Sequence, residues 1–106
     1  MKTTIVIMID GLDPEYLDVC PAPRLQELAK AGSRLSVRGM MPSVTNVNNV
    51  SLVTGSYPES HGITSNYWLD HERGGEHYME SAEYIRAETM FERAADQGLR
   101  SLLVTA

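Results

Sequence analysis

The chain has 106 residues, of which 9 are basic and 14 acidic, so its formal net charge is −5. A chain of this length can bury one modest hydrophobic core. Its net negative charge argues against nucleic acid or an anionic membrane as the main partner, so metals and small ligands remain possible. Cys20 is the only cysteine, which excludes an intrachain disulfide, favours a reducing, cytoplasmic location and predicts an inert, at least partly buried thiol. The apolar opening run, Ile5 to Ile9, is too short for a signal-peptide core or a membrane span.

The first elements alternate between strand and helix patterns. Ile5 to Ile9 is a continuous, largely β-branched run that predicts a strand buried on both faces of a parallel sheet. Pro23 to Ala31 has apolar residues at helical spacing and predicts a short helix that stops at Gly32. Residues 34–39 alternate apolar and polar side chains, which predicts a second strand nearer an edge.

The next stretch predicts a helix that begins near Thr45. Pro42 opposes helix before it, an apolar body follows, and Gly55 with Pro58 shortly beyond marks the stop. Free backbone N–H groups and the positive end of the dipole lie at a helix start, where they stabilise an oxyanion. Thr45 is therefore a candidate nucleophile, and the alternative is that it only caps the helix.

The rest of the chain predicts a hairpin, a helix and a last strand. Between Tyr57 and Ile85 a polar turn at 70–75 is flanked by aromatic segments, which favours an ordered hairpin over the sheet edge. Thr89 to Gln97 predicts a helix closed by Gly98, and Leu99 to Thr105 predicts another buried strand.

This order predicts an α/β fold with a mostly parallel sheet and helices on both faces. Ligands of such sheets bind beyond the carboxyl ends of the strands. Asp10 ends the first predicted strand and Thr45 follows the second, so we expect both at the same edge of the sheet.

Four motifs follow one another along the chain: Ile-Asp-Gly at 9–11, Pro-Ser-Val-Thr-Asn-Val-Asn-Asn at 42–49, Thr-Gly-Ser-Tyr-Pro-Glu-Ser-His-Gly-Ile at 54–63, and Asn66. In this order they resemble the alkaline phosphatase superfamily, in particular its type I phosphodiesterase/nucleotide pyrophosphatase branch. Within that branch the Thr-Asn-x-Asn-Asn form at 45–49 and the segments 83–89 and 104–106 are most similar to the phosphonoacetate hydrolase group. The resemblance covers essentially the whole chain.

The resemblance implies a zinc hydrolase with two metal ions in the complete enzyme. Asp10 would be a zinc ligand, Thr45 would be the metal-bound nucleophile, and Asn66 would hold a phosphoryl oxygen. These residue types suit the chemistry, because a carboxylate binds zinc, zinc lowers the pKa of a bound hydroxyl, and an amide donor stabilises charge on the equatorial oxygens. Read singly, Asp10 could be an ordinary turn aspartate and Asn66 a turn former.

Other polar and aromatic residues are better explained by structure than by chemistry. The adjacent Asp70 and His71 imitate a superfamily metal pair, but their polar surroundings favour a solvated turn. His61 is expected to be a structural histidine bonded to the backbone, and His77 is expected at the surface. The aromatic side chains near the turn favour packing over a base-stacking platform, since no basic patch accompanies them: Tyr67, Trp68 and Tyr78.

The resemblance also implies that residues 1–106 are the N-terminal, nucleophile-bearing segment of an incomplete alkaline phosphatase-like domain. The family's other zinc ligands, and the lysines that hold the carboxylate of phosphonoacetate, come later in a longer chain. Two kinds of function follow. One is hydrolysis of a carbon–phosphorus bond, or of a phosphodiester as the second substrate class. The other is a catalytically silent, assembling fragment that forms a homo-oligomer through an exposed sheet edge.

Overall fold

The computed structural model describes residues 3–72 and 74–105. They form two compact units, one ending at Arg38 and the other starting at Gly39. In the described ranges, none of the helices is long and apolar enough to cross a bilayer.

The first unit contains two short helices, α1 (Tyr16–Val19) and α2 (Pro23–Ala31). The bounds of α2 confirm the sequence prediction, and its proline start and glycine stop explain both ends. Arg34 donates hydrogen bonds to the Asp18 carboxylate at 2.8 Å and to the carbonyl of Pro14 at 3.1 Å. These bonds tie the end of the unit to α1. The prediction that the Cys20 thiol is at least partly buried is wrong, because Cys20 is exposed.

The three segments predicted as sheet strands form no ladder within the described residues. Residues 5–9, 34–39 and 99–105 have no regular secondary structure. Their apolar side chains are exposed, as Ile5 at 77% and Leu102 at 86% illustrate, so the burial expected for the first and last of these segments is wrong in this structure. A strand obtains its hydrogen bonds only from neighbouring strands, and an apolar run indicates a tendency to be buried without supplying the partner. The parallel sheet is therefore not confirmed.

The second unit is built on the helix α3 (Thr45–Thr54), which contacts both α4 (Pro58–His61) and α5 (Met90–Asp96). The start of α3 at Thr45 and the helix over residues 90–96 confirm the predictions. Gly55 ends α3 with a φ of 62°, in the left-handed region that glycine adopts without steric cost.

A β-hairpin follows α4 and confirms the predicted hairpin, while its position over a sheet edge stays a prediction. Strands β1 (Tyr67–Leu69) and β2 (Glu76–Tyr78) pair antiparallel. The cross-strand partners Tyr67 and Tyr78 have ring centroids 5.0 Å apart, and Trp68 and His77 have theirs 5.6 Å apart, so the aromatic side chains pack as expected. His77 is exposed, also as expected, and the residue Arg73 of the predicted turn lies outside the described residues.

The buried core of the second unit is small. Val47 of α3, His61 of α4 and Ile63 just after α4 are each at most 1% exposed. A 3₁₀ turn (Ala82–Tyr84) then leads towards α5, and Tyr84 packs edge-on against Trp68, with ring centroids 6.3 Å apart. The core is therefore formed by the segment from α3 to α4, and α3 begins at the candidate nucleophile Thr45.

Candidate functional site

Thr45 is the first residue of α3. The N-cap position belongs to Val44, whose φ of −120° and ψ of 159° are extended. Thr45 therefore does not occupy the position from which a side chain caps the helix, although that was the alternative to its role as nucleophile. Its half-buried side chain lies in the first turn, within the positive end of the helix dipole.

Asn66 is bonded to the same helical turn. Its Oδ1 atom accepts a hydrogen bond of 3.1 Å from the backbone N–H of Asn46, the residue after Thr45. Because a backbone N–H can only donate, this bond fixes which end of the Asn66 amide faces the helix. The Nδ2 group of Asn66 has no hydrogen-bond partner among the described residues, so it can donate to a ligand.

A closed set of three hydrogen bonds, which we call the amide triangle, joins Asn46, Asn66 and Met79. Besides the bond to Asn66, Asn46 donates from its side-chain Nδ2 to the carbonyl of Met79 at 2.9 Å. Met79 donates its own N–H to the carbonyl of Asn66 at 2.8 Å. Asn66 immediately precedes β1 and Met79 immediately follows β2, so the triangle attaches both ends of the hairpin to the start of α3.

A second asparagine attaches the segment that leads into α3. The Oδ1 atom of Asn48 accepts the N–H of Met40 at 3.0 Å, and its Nδ2 donates to the carbonyl of Val44 at 3.1 Å. A Cβ atom at Gly39 would lie 3.0 Å from that Oδ1, so glycine there leaves room for the Asn48 side chain. The sequence analysis missed the roles of Asn46 and Asn48. The available signal was that asparagine is unfavourable within a helix, yet α3 contains several of them.

His61 is a structural residue, as predicted. Its Nδ1 accepts the N–H of Ile63 at 3.1 Å, so the neutral ring carries its proton on Nε2, which lies 2.9 Å from Oγ of Ser51. Ser51 donates in turn to the carbonyl of Val47 at 2.7 Å. Burial lowers the pKa of His61, because the buried ring lies away from water and its charged form is therefore poorly solvated.

Asp70 and His71 lie in the hairpin turn, as predicted, but Asp70 is not solvated. It is only 5% exposed, its Oδ1 accepts the N–H of Glu72 at 2.9 Å, and its carbonyl accepts the N–H of Gly74 at 2.9 Å. These bonds build the turn, which is the structural role that the sequence favoured over metal binding.

Asp10 lies in a turn with Gly11, whose φ of 69° is in the left-handed region. Asp10 belongs to the first unit and Thr45 to the second, so their expected closeness stays a prediction. Within the described ranges, three or more histidine, cysteine, aspartate or glutamate side chains nowhere cluster to hold a metal ion. Asp10 and Thr45 offer the carboxylate and hydroxyl oxygens that zinc accepts, so they suit zinc as part of a ligand set.

Comparison with known proteins gives a consistent family. Residues 4–105 match the protein-family model described as type I phosphodiesterase / nucleotide pyrophosphatase. The human ectonucleotide pyrophosphatase/phosphodiesterase family member 1 is 33% identical over 106 residues, which is 92% of this chain and 12% of that protein. A bis(5'-adenosyl)-triphosphatase of Xenopus laevis is 42% identical over 67 residues, 62% of this chain and 15% of the relative.

A solved structure is similar as well. Phosphonoacetate hydrolase from Sinorhizobium meliloti 1021, crystallised with phosphonoformate, superposes with a TM-score of 0.67 at 39% sequence identity, covering 84% of this chain and 22% of that one. This similarity indicates an alkaline phosphatase-like α/β fold, although the described residues here form only the two-stranded hairpin. The chain thus spans between 12% and 22% of the length of these three relatives.

Proposed function

The chain belongs to the type I phosphodiesterase/nucleotide pyrophosphatase family, and from that premise we propose that it supplies the nucleophile of a zinc-dependent phosphonoacetate hydrolase. One observation carries the proposal: Asn66 is bonded to the first turn of α3, next to Thr45. A hydroxyl and an amide donor are thereby brought to one helix start, where the backbone dipole favours negative charge.

In the proposed reaction Thr45 is the nucleophile. Its Oγ loses the hydroxyl proton to solvent and forms a bond to phosphorus as the carbon–phosphorus bond opposite breaks. The electron pair of that bond leaves with the carbon, which takes a proton from solvent to give acetate. Water then hydrolyses the threonine phosphate ester, which releases inorganic phosphate and restores the hydroxyl. Each displacement places negative charge on the equatorial phosphoryl oxygens, and the Nδ2 group of Asn66 is the donor we assign to them.

Zinc would be held in part by Asp10 and Thr45. When bound, zinc lowers the pKa of a coordinated hydroxyl and compensates charge on a phosphoryl group. Catalytic zinc usually has three protein ligands, so two residues cannot complete a two-zinc site, and we assign the remaining ligands to residues outside this chain. Phosphonoacetate is small and doubly negative, and the chain is acidic. Bound zinc ions would therefore be needed to offset the repulsion between them.

A phosphodiester or pyrophosphate substrate is the second candidate. It is supported by the relatives, since the human protein is named as a nucleotide pyrophosphatase/phosphodiesterase and the frog protein as a bis(5'-adenosyl)-triphosphatase. The same Thr45 and Asn66 would serve, because attack at phosphorus and charge on its oxygens are common to both reactions. The phosphonoacetate assignment instead has the support of the solved structure at 39% identity.

We include location and partners in the proposal. A cytoplasmic location is supported by the single cysteine. The remaining alternative to an enzyme is a catalytically silent fragment. We expect such a fragment to form a homo-oligomer through the exposed apolar segment at residues 99–105. Nucleic acid and membranes are not among the proposed partners, because the net charge is −5.

Hydrolysis by the full-length protein tests the proposal. Purified wild type, Thr45→Ala and Thr45→Ser would be assayed with zinc for phosphate release from phosphonoacetate and for cleavage of bis(p-nitrophenyl) phosphate. Thr45→Ala should lose activity by at least about a thousandfold while keeping most of its zinc, and Thr45→Ser should keep part of the rate because its hydroxyl remains. Ser43→Ala, which removes a nearby exposed hydroxyl, is the matched control and should be unaffected. Near-normal turnover by Thr45→Ala would refute the proposal.

A further inference from the structure

The amide triangle gives Asn46 two separate connections. Its backbone N–H binds the side-chain Oδ1 of Asn66 at 3.1 Å, and its side-chain Nδ2 binds the carbonyl of Met79 at 2.9 Å. One residue of α3 therefore contacts both ends of the hairpin, 20 and 33 positions further along the chain. We propose that Asn46 is a positioning residue, which holds the Asn66 amide where its Nδ2 group meets a phosphoryl oxygen.

The side-chain bond of Asn46 is needed because the bond to Asn66 is weak on its own. Asn66 is half-buried, and a single amide–carbonyl bond contributes only about 1 kcal/mol net, too little to hold a loop side chain in one orientation. The bond to Met79 fixes the hairpin exit, and Met79 then binds the carbonyl of Asn66 at 2.8 Å. Asn66 is thus held through its side chain by the backbone N–H of Asn46 and through its backbone by Met79, which the Asn46 side chain binds in turn.

This arrangement also explains the choice of residue at position 46. An aspartate has almost the same shape, but its carboxylate cannot donate to the carbonyl of Met79 and would repel it. A threonine or serine is shorter than asparagine, while alanine leaves the Met79 carbonyl without this donor. Only an asparagine-sized side chain with N–H donors satisfies the contact seen here. Asn46 is not assigned to contact the substrate, so its effect on the reaction is transmitted through Asn66.

The inference rests on the proposed function and is tested in the full-length, zinc-loaded protein. Asn46→Asp and Asn46→Ala are compared with Asn49→Asp and Asn49→Ala, which change the same residue type in the same helix. Asn49 makes no side-chain hydrogen bond to the described residues, so its variants control for helix propensity and for charge near the helix start. Zinc content is measured for every variant.

The Asn46 variants should lower kcat/KM for phosphonoacetate by between about 10- and 100-fold and weaken competitive inhibition by inorganic phosphate. They should retain wild-type zinc content, and the Asn49 variants should stay within about threefold of wild type. The double variant Asn46→Ala/Asn66→Ala should be no slower than Asn66→Ala, because a positioning residue has no effect once the group it positions is gone. Wild-type kinetics in both Asn46 variants, or losses that multiply in the double variant, would overturn the proposal.

A measurement without turnover separates this inference from the proposed function. The side-chain amide of Asn66, observed by ¹H–¹⁵N spectroscopy, should give one sharp pair of signals in wild type, because the group is held in one orientation. These signals should shift or broaden in Asn46→Asp but not in Asn49→Asp. Unchanged Asn66 signals would refute the positioning role whatever the activity. Full activity in Thr45→Ala and Asn66→Ala would refute the proposed function instead, and the Asn66 signals would still decide whether Asn46 orients that amide.

Discussion

The Nε2 atom of His61 lies 2.9 Å from the hydroxyl oxygen of Ser51, and this contact joins α4 to the helix that carries Thr45. His61 is fully buried, and its other ring nitrogen accepts the N–H of Ile63. The Ser51 hydroxyl donates its own hydrogen bond to the carbonyl of Val47 in the core. A charged imidazole cannot keep this arrangement, because both of its nitrogens would be donors.

Stability should therefore fall in mild acid. Burial lowers the pKa of His61, so the folded state binds its proton less readily than the unfolded state does. The contribution of neutral His61 is complete above the unfolded pKa of about 6.5 and is lost as the pH falls through that value towards the lower folded pKa. Urea unfolding followed by the single tryptophan, Trp68, should show a smaller free energy of unfolding at pH 5.5 than at pH 8.

The variant His61→Gln isolates that dependence. Glutamine has no charge to gain in this range, so the variant should be less stable at pH 8 but lose less of its stability between pH 8 and 5.5 than wild type does. His77→Gln, which changes an exposed histidine, should keep the wild-type dependence. An equal pH dependence in wild type and His61→Gln would show that another group is responsible.

Two glycines with positive φ provide a matched test of packing beyond α3. Gly55 and Gly62 have φ values of 62° and 83°, but only Gly62 has a close neighbour, since an added Cβ would lie 3.0 Å from Cδ of Arg86. Both alanine variants incur the left-handed strain of about 1 kcal/mol. Gly62→Ala should lose a further 0.5–1.5 kcal/mol, roughly the cost of moving the Arg86 side chain off its rotamer.

The measurement is the free energy of unfolding of both single variants and of Gly62→Ala combined with Arg86→Ala. Removing the arginine side chain should eliminate the extra cost. In the Arg86→Ala background, Gly62→Ala should then lower the free energy of unfolding by no more than Gly55→Ala lowers it in wild type. Equal losses in the two single variants would mean that Arg86 moves aside without cost.

The start of α5 should depend on Thr89. Its hydroxyl accepts the N–H of Glu92 at 3.3 Å, and the Glu92 carboxylate accepts the N–H of Thr89 at 2.7 Å, which together form a capping box. Thr89→Ala should lower the free energy of unfolding by about 1 kcal/mol, whereas Thr89→Ser should retain most of it. Equal losses in the two variants would exclude the hydroxyl as the cause.

The capping box also has a pH signature. Hydrogen bonds from the backbone and hydroxyl of Thr89 lower the pKa of Glu92. The associated stability is therefore present above the ordinary pKa of a glutamate and is lost as the pH falls through the lowered value.

The helices and the hairpin could be predicted because their signals are local. A proline opens α2, Gly55 ends α3 in a left-handed conformation, and Thr89 caps α5, each within a few residues of the boundary it sets. The predicted hairpin likewise followed from a polar, glycine-containing turn between aromatic segments. Such signals need no knowledge of the rest of the fold.

The support of the candidate site could not be predicted in the same way. Asn46, Asn66 and Met79 are distant in sequence, and an asparagine bonded to a remote carbonyl has the same local pattern as one exposed to water. The parallel sheet was also a non-local inference, since a ladder depends on strands that pair from elsewhere. Sequence therefore indicated Thr45 and Asn66 as candidates, and the coordinates added the bonds that hold Asn66 at the start of α3.

The last prediction concerns the 106-residue chain on its own. It should bind zinc weakly and release no more phosphate from phosphonoacetate than a Thr45→Ala control, because its described residues include no cluster of three metal-ligating side chains. It should also self-associate, since the apolar side chains of Leu102 and Val104 are 86% and 80% exposed.

Light scattering, zinc titration and a phosphate-release assay on one sample would check this prediction. The mass should rise with concentration for wild type and less so for Val104→Lys, because a lysine on an exposed apolar segment opposes edge-to-edge pairing. The variant should leave zinc binding unchanged, which separates assembly from metal affinity. A monomer that holds two zinc ions tightly and releases phosphate would contradict the assignment of the remaining ligands to residues outside this chain, because Asp10 and Thr45 would then belong to a complete site.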